Sequence, residues 1–141
     1  MISIMFQIGE AEDLWVVHAA LMSFGLLLLF IGIIIAKFLK QKKWWLNRHH
    51  VFEFTGFLLI VIGFSLGFYM VSADGGHHFD TIHSIIAIIV IILFLISLIS
   101  GFAIFKIKSK SKPIRVSHRW LSLIALLLTI ITAILGLFLI D

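Results

Sequence analysis

Imidazole is the commonest side-chain ligand for transition metals at neutral pH, and this chain carries seven histidines and no cysteine. Four of them, His18, His49, His83 and His118, share a local pattern. Fourteen residues beyond each stand Gly32, Gly63, Ser97 and Thr132, and eighteen beyond stand Ala36, Gly67, Gly101 and Gly136. Seven residues beyond stand Gly25, Gly56, Val90 and Ala125. At about 100° per residue these offsets return to within roughly 40° of the histidine's own helix face. Each helix therefore presents a nitrogen ligand near one end and a stripe of small residues along the same side. Such a set suits flat, bulky, metal-bearing cofactors, and haem is the expectation. With no cysteine, thiolate ligation, covalent c-type attachment, iron–sulfur clusters and disulfides are excluded. The haem must be non-covalent and held by histidine.

The elements that position these residues are membrane-length. The chain has 141 residues, 62% hydrophobic and 13% charged, where a soluble domain is nearer a quarter charged. Runs of about twenty apolar residues cross a hydrocarbon core of about 30 Å. Four are expected, at about 14–39, 48–72, 82–106 and 116–140. They use nearly all of a single domain, 1–141, and leave no room for a soluble catalytic domain. The first starts too late and runs too long for a cleaved signal peptide. Short polar connections predict antiparallel neighbours, hence an all-α, four-helix up-down-up-down transmembrane bundle. Trp44 and Trp45 suit an interfacial anchor, Ser72 to His78 a flexible turn, and Pro113 the start of the last helix.

Charge predicts the orientation. All eleven Lys and Arg fall in two clusters, from Lys37 to Arg48 and from Lys106 to Arg119, while Glu10, Glu12, Asp13, Asp74, Asp80 and Asp141 lie on the opposite side. The positive-inside tendency makes the basic loops cytoplasmic and both termini external. The basic clusters are a topology signal lying on anionic membrane lipid, and no nucleic-acid partner is expected.

Helices 1 and 3 begin outside and helices 2 and 4 begin inside. His18 and His83 are therefore expected at one depth, and His49 and His118 at another. Two bis-histidine haem sites follow, with Gly32, Gly63, Gly67, Gly101 and Gly136 leaving room for the cofactor held by the other helix pair. His49 is preferred to His50, because the same offsets from His50 give Phe57, Phe64 and Phe68, which would fill the groove. Glycine stripes also serve close helix packing with no cofactor. Zinc is a weaker rival, since two histidines at each depth are not a tetrahedral set.

In these residues the chain resembles the cytochrome b561 family, in its four-helix core form, similar to the membrane part of DOMON-linked members. His18-Ala19-Ala20-Leu21-Met22 resembles the family's first-helix His-Gly-x-Leu-Met. Trp45 to His49, with Glu53 and Gly56, resembles Trp-x-x-x-His-x-x-x-Gln-x-x-Gly. His83 with Ala87 loosely resembles His-x-x-x-Gly, and His118-Arg119-Trp120-Leu121 resembles His-Arg-Trp-x-Gly-Arg. Glu53 stands where the family usually has Gln, Ser122 and Leu123 where it has Gly-Arg, and Lys37 where Arg is common. The outer DOMON domain and the flanking helices of six-helix members are not among these residues. The resemblance implies two haem b groups, ligated by helices 1 and 3 and by helices 2 and 4. It also implies electron transfer from cytoplasmic ascorbate to an outer acceptor such as monodehydroascorbate or a ferric chelate, often by a homodimer.

Bis-histidine ligation fills both axial positions of an iron, which suits an electron carrier rather than an oxygen binder. An electron moving outward from a negative interior is assisted by about 2.3 kcal/mol per 100 mV. Arg119, beside its ligand, is expected to meet a haem propionate. Lys37, Lys40 and Arg48 could meet a propionate or an anionic donor. His77 and His78, with Asp74 and Asp80, could hold a ferric or cupric substrate outside, although a solvated turn accounts for them as well. Glu53, one turn past His49, is costly at that depth unless paired. The alternative function is a haem b membrane subunit of a larger quinone-linked redox complex, and a third is a cofactor-free packing bundle.

Overall fold

The structure, a computed structural model, describes residues 2–107, 109 and 111–139, with side chains from Leu14 onward. Lys108, Lys110 and Asp141, and the side chains of Glu10, Glu12 and Asp13, lie outside what it describes. The fold is all-α: α1 spans Ile2–Phe38, α2 Trp45–Ala73, α3 Ile82–Lys106 and α4 Ser111–Leu137, with no strand among the described residues. Each contains a stretch long and apolar enough to cross a membrane, Leu14–Phe38 in α1 and the whole of the other three helices. The chain is thus a multi-pass membrane protein.

Helix ends depart from the hydropathy boundaries because polarity and helicity are separate properties. The helix of α1 runs back to Ile2, since polar residues at a membrane surface need not break an α-helix. α2 starts at Trp45 rather than 48. α4 starts at Ser111, with Pro113 inside its first turn, where the missing N–H has no intrahelical acceptor to satisfy.

Two compact units make up the chain, residues Met1–Asp80 and Thr81–Asp141, and each is an antiparallel helical hairpin. In hydrocarbon there is no hydrophobic gain from bringing two apolar helices together, so close van der Waals packing has to hold the seam. In the first hairpin a Cβ on Gly25 would stand 2.9 Å from the Gly56 carbonyl oxygen, and one on Gly56 would stand 2.9 Å from that of Gly25. Leu29 and Ile60 close the seam beside them, 1% and 0% exposed. In the second hairpin Val90, Phe94, Ala125 and Leu126 are buried along the seam. Thr129, also buried, donates its hydroxyl to the Ala125 carbonyl at 2.7 Å, so no polar group is left bare there.

The stripes read from the sequence are these seams. Residues seven beyond the histidines (Gly25, Gly56, Val90, Ala125) and fourteen beyond (Gly32, Gly63, Ser97, Thr132) are all buried. Periodicity identifies a helix face but not what covers it, and within each hairpin the antiparallel neighbour covers it.

Two caps set where α2 ends and α3 begins. Gly75 takes φ +68°, and the Gly76 and Gly75 amides donate to the carbonyls of Val71 and Ser72, a Schellman stop that needs a residue tolerant of the left-handed region. Thr81 caps α3, its side-chain oxygen accepting from the Ser84 amide at 3.2 Å. His83 follows in the first turn and is therefore held at the rim of the helix.

Candidate functional site

All four histidines sit in the same kind of seat on the neighbouring helix of their hairpin. His18 Nδ1 lies 2.7 Å from the Gly63 carbonyl oxygen, and His49 Nδ1 lies 3.0 Å from that of Gly32. His83 Nδ1 lies 2.9 Å from the Thr132 carbonyl oxygen, and His118 Nδ1 lies 2.9 Å from that of Ser97. The acceptor is in every case the residue fourteen beyond the neighbouring helix's own histidine. His49, not His50, makes the contact that the other three share.

Why the residue eighteen beyond must also be small follows from helix geometry. A helical carbonyl points along the axis toward the residue four further on, whose side chain would cover it. That residue is Ala36, Gly67, Gly101 or Gly136. The rings occupy the cleared space. A Cβ on Gly67 would lie 3.1 Å from His18 Cε1, one on Gly101 3.2 Å from His118 Cε1, and one on Gly136 2.9 Å from His83 Cε1. These glycines are seats for imidazoles of the same hairpin, a use that the offsets alone did not distinguish from room for a cofactor.

The seat also sets the tautomer. A carbonyl oxygen only accepts, so each Nδ1 is the donor and carries the proton. Each carbonyl has two lone pairs, one for the helix ladder and one for the ring. At His118 two hydroxyls add to this. Ser100 donates to the Ser97 carbonyl at 2.7 Å and Ser122 donates to the His118 carbonyl at 2.8 Å, while Ser97 and Ser122 share a proton contact at 2.6 Å. With those protons committed, Ser97 Oγ and Ser100 Oγ, each 3.3 Å from His118 Nδ1, present lone pairs to its N–H. A neutral imidazole protonated at Nδ1 has its lone pair on Nε2. Ligating histidines commonly have this arrangement, with the other ring N–H donated to a carbonyl to orient the ring and raise its basicity.

Sequence reasoning did not find Ser100, and it noted Ser122 only as a departure from a motif. The available signal was two hydroxyl residues breaking apolar runs, Ser122 one turn past His118 and Ser100 one turn past the acceptor Ser97.

Spacing along each hairpin is matched. His49 is seated at Gly32, fourteen residues from His18, and His118 at Ser97, fourteen residues from His83. At 1.5 Å per residue the two seated rings of a hairpin are about 21 Å apart along its axis.

The remaining candidates are differently placed. Lys37, Lys40, Arg48 and Arg119 are exposed at the loop ends of their hairpins, and Lys37 Nζ lies 5.2 Å from the Phe38 ring centre. His78 is used in the turn itself. Its ring stacks on Phe68 with centres 3.6 Å apart and planes within 2°, and its Nε2 lies 3.1 Å from Ser72 Oγ. His77 is exposed beside it. Among the described residues no group of three or more His, Cys, Asp or Glu side chains is gathered as a metal site. Glu53 lies on α2 four residues past His49, its Oε1 3.6 Å from His49 Nδ1.

A family model described as eukaryotic cytochrome b561 matches residues 17–139, which include all four seated histidines. No curated protein and no solved structure gives a significant match.

Proposed function

This chain belongs to the cytochrome b561 family, which implies haem-b electron transfer across a membrane, and we propose that it does so as a di-haem protein. His18 and His83 would hold one haem b and His49 and His118 the other, each through Nε2. The observation that carries this reading is the fourfold repeat of one seat, in which Nδ1–H is bound by a carbonyl. Imidazoles so held are oriented and in the tautomer that ligates iron, before any metal arrives. The matched spacing of about 21 Å in both hairpins supports two ligand pairs rather than one. When bound, each haem supplies a one-electron couple.

The chain's own residues orient the rings, exclude water from the seams and keep the seats from moving. Arg119 in the second hairpin, and Lys37, Lys40 and Arg48 in the first, offer cations at the basic-loop ends of their own hairpins for haem propionates or an anionic, ascorbate-like donor. An outer ferric chelate or monodehydroascorbate would be the acceptor. The test is a reduced-minus-oxidised spectrum of the purified chain with a haem count. Two six-coordinate, low-spin haem b groups per chain are expected. A count of one or none, or five-coordinate iron, would overturn the proposal.

A further inference from the structure

The residues four beyond the seated histidines share one position relative to the ring, on the next turn of the same helix. They are Met22, Glu53, Ala87 and Ser122, so one of the four is a carboxylic acid. Its placement is specific. Glu53 is 19% exposed and His49 13% by side chain, and Glu53 Oε1 stands 3.6 Å from the same Nδ1 that donates to the Gly32 carbonyl. That oxygen is buried and has no hydrogen-bond partner among the described residues. Space for it is provided from α1, since a Cβ on Gly32 would fall 2.5 Å from Oε1. Gly32 therefore serves His49 twice, with its carbonyl and with the room it leaves for the carboxyl group.

A buried carboxyl oxygen with no hydrogen-bond donor is costly in a membrane. Its nearest favourable partner is the imidazole N–H, whose positive character grows when Nε2 gives electron density to iron. The attraction is larger for ferric than for ferrous iron, because the ferric centre withdraws more density. A group that stabilises the oxidised state lowers the reduction potential, and the polar surroundings of a ligating imidazole are one of the protein's levers on that potential.

We propose that Glu53 is a positioning residue for His49, whose carboxyl group, lodged against Gly32 and facing Nδ1, lowers the potential of the haem that His49 ligates. The inference rests on the di-haem reading above. In that reading it biases one of the two centres through a residue that touches neither iron nor substrate.

The experiment is a redox titration of the purified, haem-loaded chain at one fixed pH, followed optically and by EPR. Wild type is compared with Glu53→Gln, Glu53→Leu and Gly32→Ala. In Glu53→Gln and Glu53→Leu the midpoint of one haem is expected to rise by up to tenfold in its reduction equilibrium, about 59 mV for one electron. The g-values of that haem should move with it, and the other haem should keep both. Gly32→Ala, which displaces the carboxyl group without removing it, should move the same haem. Unchanged midpoints and g-values in both Glu53 variants, or a fall in midpoint, would overturn the inference. Loss of that haem from Glu53→Gln would also overturn it, in favour of a folding role. A wild-type chain with fewer than two low-spin haems is a separate outcome, which defeats the di-haem reading itself.

Discussion

A methyl group on Gly136 would stand 2.9 Å from the Cε1 of His83 and 3.1 Å from its Nδ1. His83 is thus held between its own helix and a bare backbone, and the glycine matters for what it lacks. Gly101 faces His118 with slightly more room, 3.2 Å to Cε1 and 3.5 Å to Nδ1.

An order of sensitivity follows. Gly136→Ala should displace the His83 ring from the Thr132 carbonyl, at about 1–3 kcal/mol of overpacking. Gly101→Ala needs a shift of only a few tenths of an ångström and should cost less. Thermal unfolding in detergent and haem count per chain measure both effects. Equal haem retention and equal melting in the two variants would contradict the seat geometry.

The seam of the first hairpin should be less forgiving than the seats. A ring can swing about two torsions, whereas the Gly25 and Gly56 carbonyls, each set against the place where the other glycine's Cβ would stand, belong to backbone. Gly56→Ala must move one helix against the other and should cost about 3 kcal/mol, the upper end of the overpacking range and more than Gly136→Ala. Gly76→Ala, whose Cβ would meet Val71 at an ordinary 3.4 Å, is the internal control and should stay within about 0.5 kcal/mol of wild type. Comparable melting of the two variants would refute this account.

Particular residues show what the sequence could and could not convey. The four membrane-length helices were legible from hydropathy, and the choice of His49 over His50 followed from Gly56, Gly63 and Gly67 on one face. What the stripe faces was not legible, because a period of 3.6 defines a face but does not identify the neighbour. Nor were the acceptors at Gly32, Gly63, Ser97 and Thr132, since a backbone carbonyl leaves no mark on residue identity. Only the small residue that uncovers it is visible, and small residues have several uses in membranes. Ser111 and Trp45 as helix starts were missed because hydropathy reports the lipid boundary, while helices continue into the polar layer. His78 was read as part of a solvated turn or of an outer metal-substrate site, and its stacking on Phe68 was not legible because it depends on a turn whose shape Gly75 and Phe79 determine through positive φ.

Single histidine variants test the pairing. If His18 and His83 share one iron, then His18→Ala and His83→Ala should each remove the same spectral component, and the double variant should remove no more. His49→Ala and His118→Ala should likewise share the other component. His50→Ala should retain both haems, as should replacement of His78. Loss of one component by His18→Ala and of the other by His83→Ala would refute the pairing while leaving the haem count intact.

Orientation is open to an unusually clean test, because the chain has no native cysteine and any introduced thiol is the sole reporter. Lys42 and Ser109 lie in the two basic connections and Gly76 in the turn between α2 and α3, and all three are exposed. Lys and Arg near membrane-span ends resist translocation, whereas acidic residues contribute little. The connections at Lys42 and Ser109 should therefore stay on the cytoplasmic side, and the turn at Gly76 should face out. A membrane-impermeant maleimide applied to intact cells should label Gly76→Cys and spare Lys42→Cys and Ser109→Cys until the membrane is opened. The reverse pattern would place the basic ends outside, and an anionic cytoplasmic donor could no longer be assigned to Arg119, Lys37, Lys40 and Arg48. Labelling of Lys42→Cys and Ser109→Cys from opposite sides would break the alternating order of the helices, and with it the depth match on which the histidine pairs depend.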